Sequence, residues 1–202
     1  MRLGCDSNGG AQAVLRRLTK AAAVVAGSAL VALVAHLVSI HATGNFATVV
    51  AGEAYRSAQV TPDSIARLHA EQGIASILNL RGAHPGEVWY DDEIRSSAAL
   101  GIAHADFAMS ASQAIGTAEA RELIALMEAL PKPLLIHCRH GSDRTGLASA
   151  LYLARIAGAD EQTAEQALSI RYGHFAIPGL SAAWPMSESF ERLEPWLGFE
   201  NS

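Results

Sequence analysis

Cysteine is nearly absent from this chain of 202 residues; there are two, Cys5 and Cys138. They lie on opposite sides of the most apolar stretch, which excludes a disulfide framework and leaves Cys138 as a lone thiol. Paired ligands at metal spacing are missing as well. His137, Cys138 and His140 have no second Cys or His pair to complete a zinc site. There are no internal repeats, and no low-complexity sequence outside an N-terminal Ala/Val run. Positive charge is scarce past residue 42. Four of the 15 Lys and Arg and one of the 20 Asp and Glu precede that point, leaving 11 against 19 and a net charge near −8. An acidic domain of that kind argues against nucleic acid as a partner and against docking on anionic lipid.

The chain is half apolar, long enough for one well-cored domain and too short for two of ordinary size. Arg2, Arg16, Arg17 and Lys20 precede a run without charge, Ala21 to Ile40. Its length just suffices to span a bilayer. Basic residues crowd its N-terminal side and none follows until Arg56, so the N-terminus is expected to stay in the cytoplasm and the following domain to lie outside it. A cleaved signal peptide, with small residues around Ala42-Thr43-Gly44, and an Ala-rich soluble helix are the competing readings. The expected organisation is a basic segment and apolar anchor or signal over 1–42, then one domain over 43–202.

Within that domain, strand and helix patterns alternate. Asn45 to Val50 reads as a strand. Thr61-Pro62-Asp63 opens a helix, with Thr as N-cap, Pro at the first helical position and Val60 stapled on Ile65. Ile74 to Leu80 is a buried strand, Trp89 to Leu100 a helix, and Ile102 to Phe107 a strand. Thr117 is expected to cap a helix carrying Leu123, Leu126, Met127 and Leu130 on one face. Asp160 to Arg171 reads as one helix, 173–183 as irregular, and the segment around Phe190, Leu193, Trp196 and Leu197 as a closing helix. The alternation predicts an α/β fold with a mostly parallel central sheet flanked by helices on both faces, preceded by the apolar helix.

The chemistry concentrates in one place. Pro133-Leu134-Leu135-Ile136 is a short buried strand, Leu147 to Leu153 a helix, and His137-Cys138-Arg139-His140-Gly141-Ser142-Asp143-Arg144-Thr145-Gly146 a polar turn between them. A cysteine there faces the positive end of a helix, which favours the thiolate. The turn's backbone N–H groups form an anion nest, and Arg144 can fold over it to grip two phosphate oxygens.

His-Cys, five residues, Arg, then Thr-Gly resembles the signature of the cysteine-dependent protein tyrosine and dual-specificity phosphatases. Asp143-Arg144-Thr145-Gly146 is most similar to the bacterial and atypical dual-specificity members, and Tyr55-Arg56-Ser57-Ala58-Gln59 looks like the opening of the same group. The resemblance implies a mechanism without metal or cofactor. Cys138 attacks phosphorus, Arg144 and the loop amides hold the equatorial oxygens, and Thr145 bonds the sulfur and helps it leave. Arg139, His140, Gly141, Ser142 and Asp143 line the bound phosphate, while His137 orders the loop. Family members place the proton donor after a strand, a few tens of residues before the cysteine. Asp106, 32 positions before Cys138 and followed by a Ser/Ala-rich stretch able to move as a lid, is the expected acid, with Asp143 as its rival. Expected substrates are phosphotyrosine or dual-specificity protein substrates or a small phosphomonoester. Phosphoinositides and inositol phosphates are the alternative. An inactive phosphate-binding module and a rhodanese-like sulfurtransferase are the rival classes, the latter disfavoured by the loop length and the Arg-Thr-Gly exit.

Overall fold

Leu134-Leu135-Ile136 is apolar on both sides of the chain, as a strand covered on both faces must be, and with His137 it is buried throughout and forms the middle of the sheet. A computed structural model describes residues 8–199. Arg2 and Cys5 lie outside the described residues. The elements in order are α1 (Asn8–Ala42), β1 (Ala47–Val50), β2 (Ala54–Ser57), α2 (Pro62–Gln72), β3 (Ser76–Asn79), α3 (Val88–Ala99), β4 (Ala103–Asp106), α4 (Thr117–Ala129), β5 (Leu134–His137), α5 (Asp143–Arg155), α6 (Glu161–Glu165) and α7 (Trp184–Leu197), with a 3-10 turn at Ile170–Tyr172. The chain divides into two units, 1–39 and 40–202. Among the described residues one helical stretch, Leu15–Ala42, is long and apolar enough by length and composition to cross a membrane.

The second unit is built on a five-stranded sheet of order β1-β2-β5-β3-β4, parallel throughout except for the antiparallel edge strand β1. Alternation along the strands sorts the core. Ile77 and Leu135 pack with Val60, Ile65 and Leu68 of the α2 side. Leu78, Leu134 and Ile136 face the other way, onto Leu123 and Met127 of α4, Leu147 and Leu151 of α5, and Phe190 and Leu193 of α7. Each of these buried side chains contributes about 1.5–3 kcal/mol by leaving water. Register brings the last residues of four strands to one level: Ser57 opposite His137, His137 opposite Asn79, and Asn79 opposite Asp106. That carboxyl-end row is where open α/β sheets bind ligands.

Two local expectations change. The α4 helix starts at Thr117 itself, with Gly116 in the N-cap position and its N–H donating to Glu119 Oε2 at 2.9 Å. The acid three residues on reaches back and takes over the capping. The segment 160–171 is not one helix. Asp160 caps α6 by accepting from Thr163 N at 2.7 Å, but α6 ends at Glu165. The Ala167 carbonyl is taken by the Arg56 side chain, and Leu168 packs where a Cβ on Gly146 would stand, so tertiary contacts override local helical preference.

Candidate active site

The loop that carries Cys138 leaves β5 at the centre of the sheet and enters α5. Cys138 follows the last strand residue and is 3% exposed, and the Gly141 N–H donates to its sulfur at 3.3 Å. The loop turns so tightly because Gly141 adopts a φ of +72°, and a Cβ there would lie 2.7 Å from the Ser57 carbonyl and Ala58 N. The loop's carbonyls from Arg139 to Ser142 are all bonded, those of Arg139, His140 and Gly141 to groups outside the loop. Arg139 O accepts from Gln59 N at 3.3 Å, His140 O from Asn45 Nδ2 at 3.0 Å, and Gly141 O from Arg56 Nη2 at 2.8 Å. Ser142 O accepts from Gly146 N at 2.9 Å and from Arg56 Nη2 at 3.4 Å. Thr145 is fully buried, and its hydroxyl has no hydrogen-bond partner, so the expected bond from Thr145 to the sulfur is not formed; Gly141 N is the donor instead.

Arg144 is oriented by two carbonyls, Leu80 O at 3.3 Å and Met109 O at 3.2 Å, both from Nη1. These come from the chain just past β3 and β4, so the strand ends aim the guanidinium. Arg81 stacks on Trp89, 3.4 Å from the ring centroid, and donates from Nη1 to Gln59 Oε1 at 2.6 Å. Burial and the neighbouring charges of Arg144 and Arg139 push the Arg81 guanidinium below its ordinary value. Arg139 and His140 are exposed at the rim. Burial and then Arg139 hold His140 below its usual value, so at neutral pH it adds little charge.

The carboxyl groups are placed differently from one another. Asp106 closes β4 and is held on both oxygens: Oδ2 accepts from Tyr90 OH at 2.6 Å and Oδ1 from Asn79 Nδ2 at 2.8 Å. The Tyr90 hydroxyl is pushed up to about 12 by this bond, with burial adding to it. Asp143 opens α5 beside Arg144, is 27% exposed, and bonds through Oδ1 to His174 Nδ1 at 2.7 Å. It lines a cavity of about 360 Å³ with Ala111, Ser112 and Phe175, so the Ser/Ala-rich stretch after β4 and the loop aspartate share one recess. His137 is fully buried, and its Nε2 meets Glu93 Oε1 at 2.8 Å.

Sequence reasoning missed four groups that organise the site. Glu93 on α3 binds His137 and His104 through one oxygen and accepts from Gln59 through the other. Its acid signal was legible only as a helix start. Arg56 and Asn45 were visible, the first inside a motif, but nothing local marks a side chain that reaches a loop more than 80 residues away. His174 sits in a segment without periodicity and is anchored between Asp143 and Ser187 Oγ. Among the described residues no group of three or more His, Cys, Asp or Glu is placed to hold a metal ion.

A buried cysteine whose sulfur accepts a loop N–H, followed six positions on by an arginine and seated at the carboxyl end of a mostly parallel sheet, is the arrangement of the cysteine-dependent phosphatases. The profile of the tyrosine phosphatase family matches residues 38–167, and the chain belongs to that family, whose members are hydrolases of phosphate esters. Solved structures share the fold. TpbA of P. aeruginosa is 21% identical, with a TM-score of 0.59 covering 79% of this chain and 92% of its own. A TpbA variant in complex with pTyr is 19% identical, with a TM-score of 0.58 over 79% and 93%. The core catalytic domain of the PP-IP phosphatase Siw14 of S. cerevisiae is 21% identical, with a TM-score of 0.54 over 78% and 94%. No curated protein sequence matches.

Proposed function

We propose that the chain hydrolyses phosphomonoesters through a phosphocysteine intermediate, acting on phosphotyrosine or dual-specificity protein substrates. The observation that carries this reading is the Gly141 N–H on the Cys138 sulfur, in a loop whose carbonyls from Arg139 to Ser142 are all bonded. In this reading the Cys138 thiolate attacks phosphorus in line, and the S–P bond forms as the P–O bond to the leaving group breaks. The loop amides and Arg144 stabilise the equatorial oxygens. Arg139 and His140 meet the substrate at the rim, and the Gly141, Ser142 and Asp143 amides hold its oxygens. Water then attacks phosphorus and gives its proton to the carboxylate that served as donor; the S–P bond breaks, returning the thiolate and releasing inorganic phosphate. The Thr145 hydroxyl, which has no other partner, turns to the sulfur as it leaves.

The leaving oxygen takes its proton from a carboxyl. Asp106 has the position expected of the donor, yet both its oxygens are engaged by Tyr90 and Asn79. Asp143 stands beside Arg144 and opens onto the recess shared with Ser112. Asp106 is the expected donor, and Asp143, which bonds His174 through Oδ1 and leaves its other oxygen to the recess, is its rival.

A second substrate reading rests on the Arg81, Arg139 and Arg144 charges, which lie close enough to disfavour one another. A substrate with several phosphates would relieve that repulsion, and one neighbour in fold, Siw14, is a PP-IP phosphatase. The apolar side chains of α1, such as Val24, Leu30 and Val31, are exposed, which suits a helix anchored in lipid. With basic residues on its N-terminal side, this reading sets the catalytic unit outside the cytoplasm.

Phosphate release by the full chain from an aryl phosphate, a phosphotyrosine peptide and an inositol polyphosphate, beside Cys138→Ser, tests the proposal. Turnover by the wild type and none by the serine variant is expected. A silent wild type that still binds phosphate would replace the enzyme by a binding module.

A further inference from the structure

We propose that Arg56 is a positioning residue for this chemistry: from behind the nucleophile loop its guanidinium holds the Gly141 and Ser142 carbonyls outward and so turns the following N–H groups toward the phosphoryl site. The inference rests on the phosphatase reading of that loop. Its geometry is a consequence of the planar trans peptide, in which C=O and N–H point in opposite directions. Among the described residues the one cis bond is Lys132–Pro133, outside the loop. A carbonyl captured from outside therefore sends the next residue's N–H inward. The rule can be checked at one position. His140 O is taken by Asn45 on the outside, and the Gly141 N–H of the same peptide is found on the Cys138 sulfur. Applied to the next two peptides, it directs the Ser142 and Asp143 amides inward; Arg56 holds the first carbonyl at 2.8 Å and shares the second, at 3.4 Å, with the Gly146 N–H.

Arg56 suits this task by both shape and charge. It is 1% exposed and sits on β2, the strand beside β5. Nη1 donates to Ala167 O at 2.8 Å, Nη2 to the two loop carbonyls, and Tyr172 lies over the guanidinium, 3.9 Å from the ring centroid. A planar fork serves three carbonyls at fixed angles, which an ammonium on a flexible stem does not reproduce. No carboxylate pairs with it among the described residues; its acceptors are backbone oxygens. Burial lowers Arg56 to about 10 against the opposing influence of Tyr172 and Cys138, so it is a cation at neutral pH. A fixed positive charge behind the nest favours both the thiolate and the bound phosphoryl oxygens.

The test compares full-length wild type with Arg56→Lys and Arg56→Gln. Three readouts are followed: unfolding temperature, the rate of Cys138 alkylation by iodoacetamide at pH 6, and kcat and KM for an aryl phosphate with orthovanadate inhibition. The expected result is folded variants in which alkylation slows about tenfold, vanadate binding weakens by about 10–100-fold, and kcat falls more than KM rises. Arg56→Lys should recover the melting temperature better than it recovers vanadate binding. Folded variants with alkylation, vanadate binding and kcat within twofold of wild type would overturn the inference. If neither variant folds, the wild-type Arg56 guanidinium protons decide by NMR. Slow exchange with a change on adding vanadate supports the role, and fast exchange without response overturns it. A wild type lacking both turnover and vanadate binding defeats the phosphatase reading itself, while the alkylation comparison still judges Arg56.

Discussion

Glu93 and His137, 44 positions apart in the chain, are joined by a 2.8 Å hydrogen bond in which neither side chain is exposed. Burial works against ionisation of Glu93, but the bonds from His104 and His137 outweigh it and hold the carboxyl at about 2, below its ordinary 4.5. A carboxyl lowered on folding stabilises the native state fully above pH about 4.5, and that contribution is lost as pH falls toward about 2. Glu93→Gln should therefore cost about 2–4 kcal/mol in urea unfolding at pH 7, with a gap to wild type that narrows below pH 4.5. A gap that stays constant across that range would show that the charge plays no part.

The two candidate acids make opposite predictions. If Asp143 donates the proton, Asp143→Asn lowers kcat for an alkyl phosphate by about 10²–10⁴, with a smaller loss on a good aryl leaving group. Asp106→Asn then acts mainly on stability, since it weakens the bonds to Tyr90 and Asn79. Leaving-group dependence in the Asp106 variant and none in the Asp143 variant would reverse the assignment.

Gly141→Ala should abolish most activity. The φ of +72° costs an L residue about 1–2 kcal/mol, and the added Cβ meets backbone of Ser57 and Ala58 at 2.7 Å. The loop must move away from β2, so phosphate release is expected to fall at least about 100-fold, a barrier rise of about 2.7 kcal/mol. Gly52→Ala also has a positive φ but open space around it, and it serves as the control with activity retained.

Removing residues 1–39 should leave phosphate release unchanged within about twofold, because the groups proposed to carry the reaction all lie in the second unit. The full chain should partition with membranes on fractionation, and the shortened chain should not. Equal partition of both would assign α1 another role.

Much of the second unit is legible in the sequence because it rests on local signals. Thr61 with Pro62 marks the start of α2, Gly73 its end, and the apolar run at 134–136 the central strand. Cys138, Arg144 and the glycine between them are readable for the same reason: offsets within one loop are fixed by the backbone. What could not be read is long-range. Arg56, Asn45 and Glu93 act on residues 44 to 95 positions away, and only strand order brings them there. Helical periodicity misled at 160–171 because the Ala167 carbonyl is used by Arg56.

The outward bonds of the nucleophile loop carry one more consequence. Its ten-residue signature is not a portable cassette, because the groups that shape it, Asn45, Arg56 and Gln59, belong to the start of the domain. During synthesis those residues leave the ribosome about 80 to 95 positions before the loop they will hold, and the nest comes into being only when β5 slots in beside β2. On the proposed phosphatase reading, catalytic competence doubles as a readout of complete folding. Grafting the signature onto another strand–helix turn without the three partners should yield a cysteine but no phosphatase.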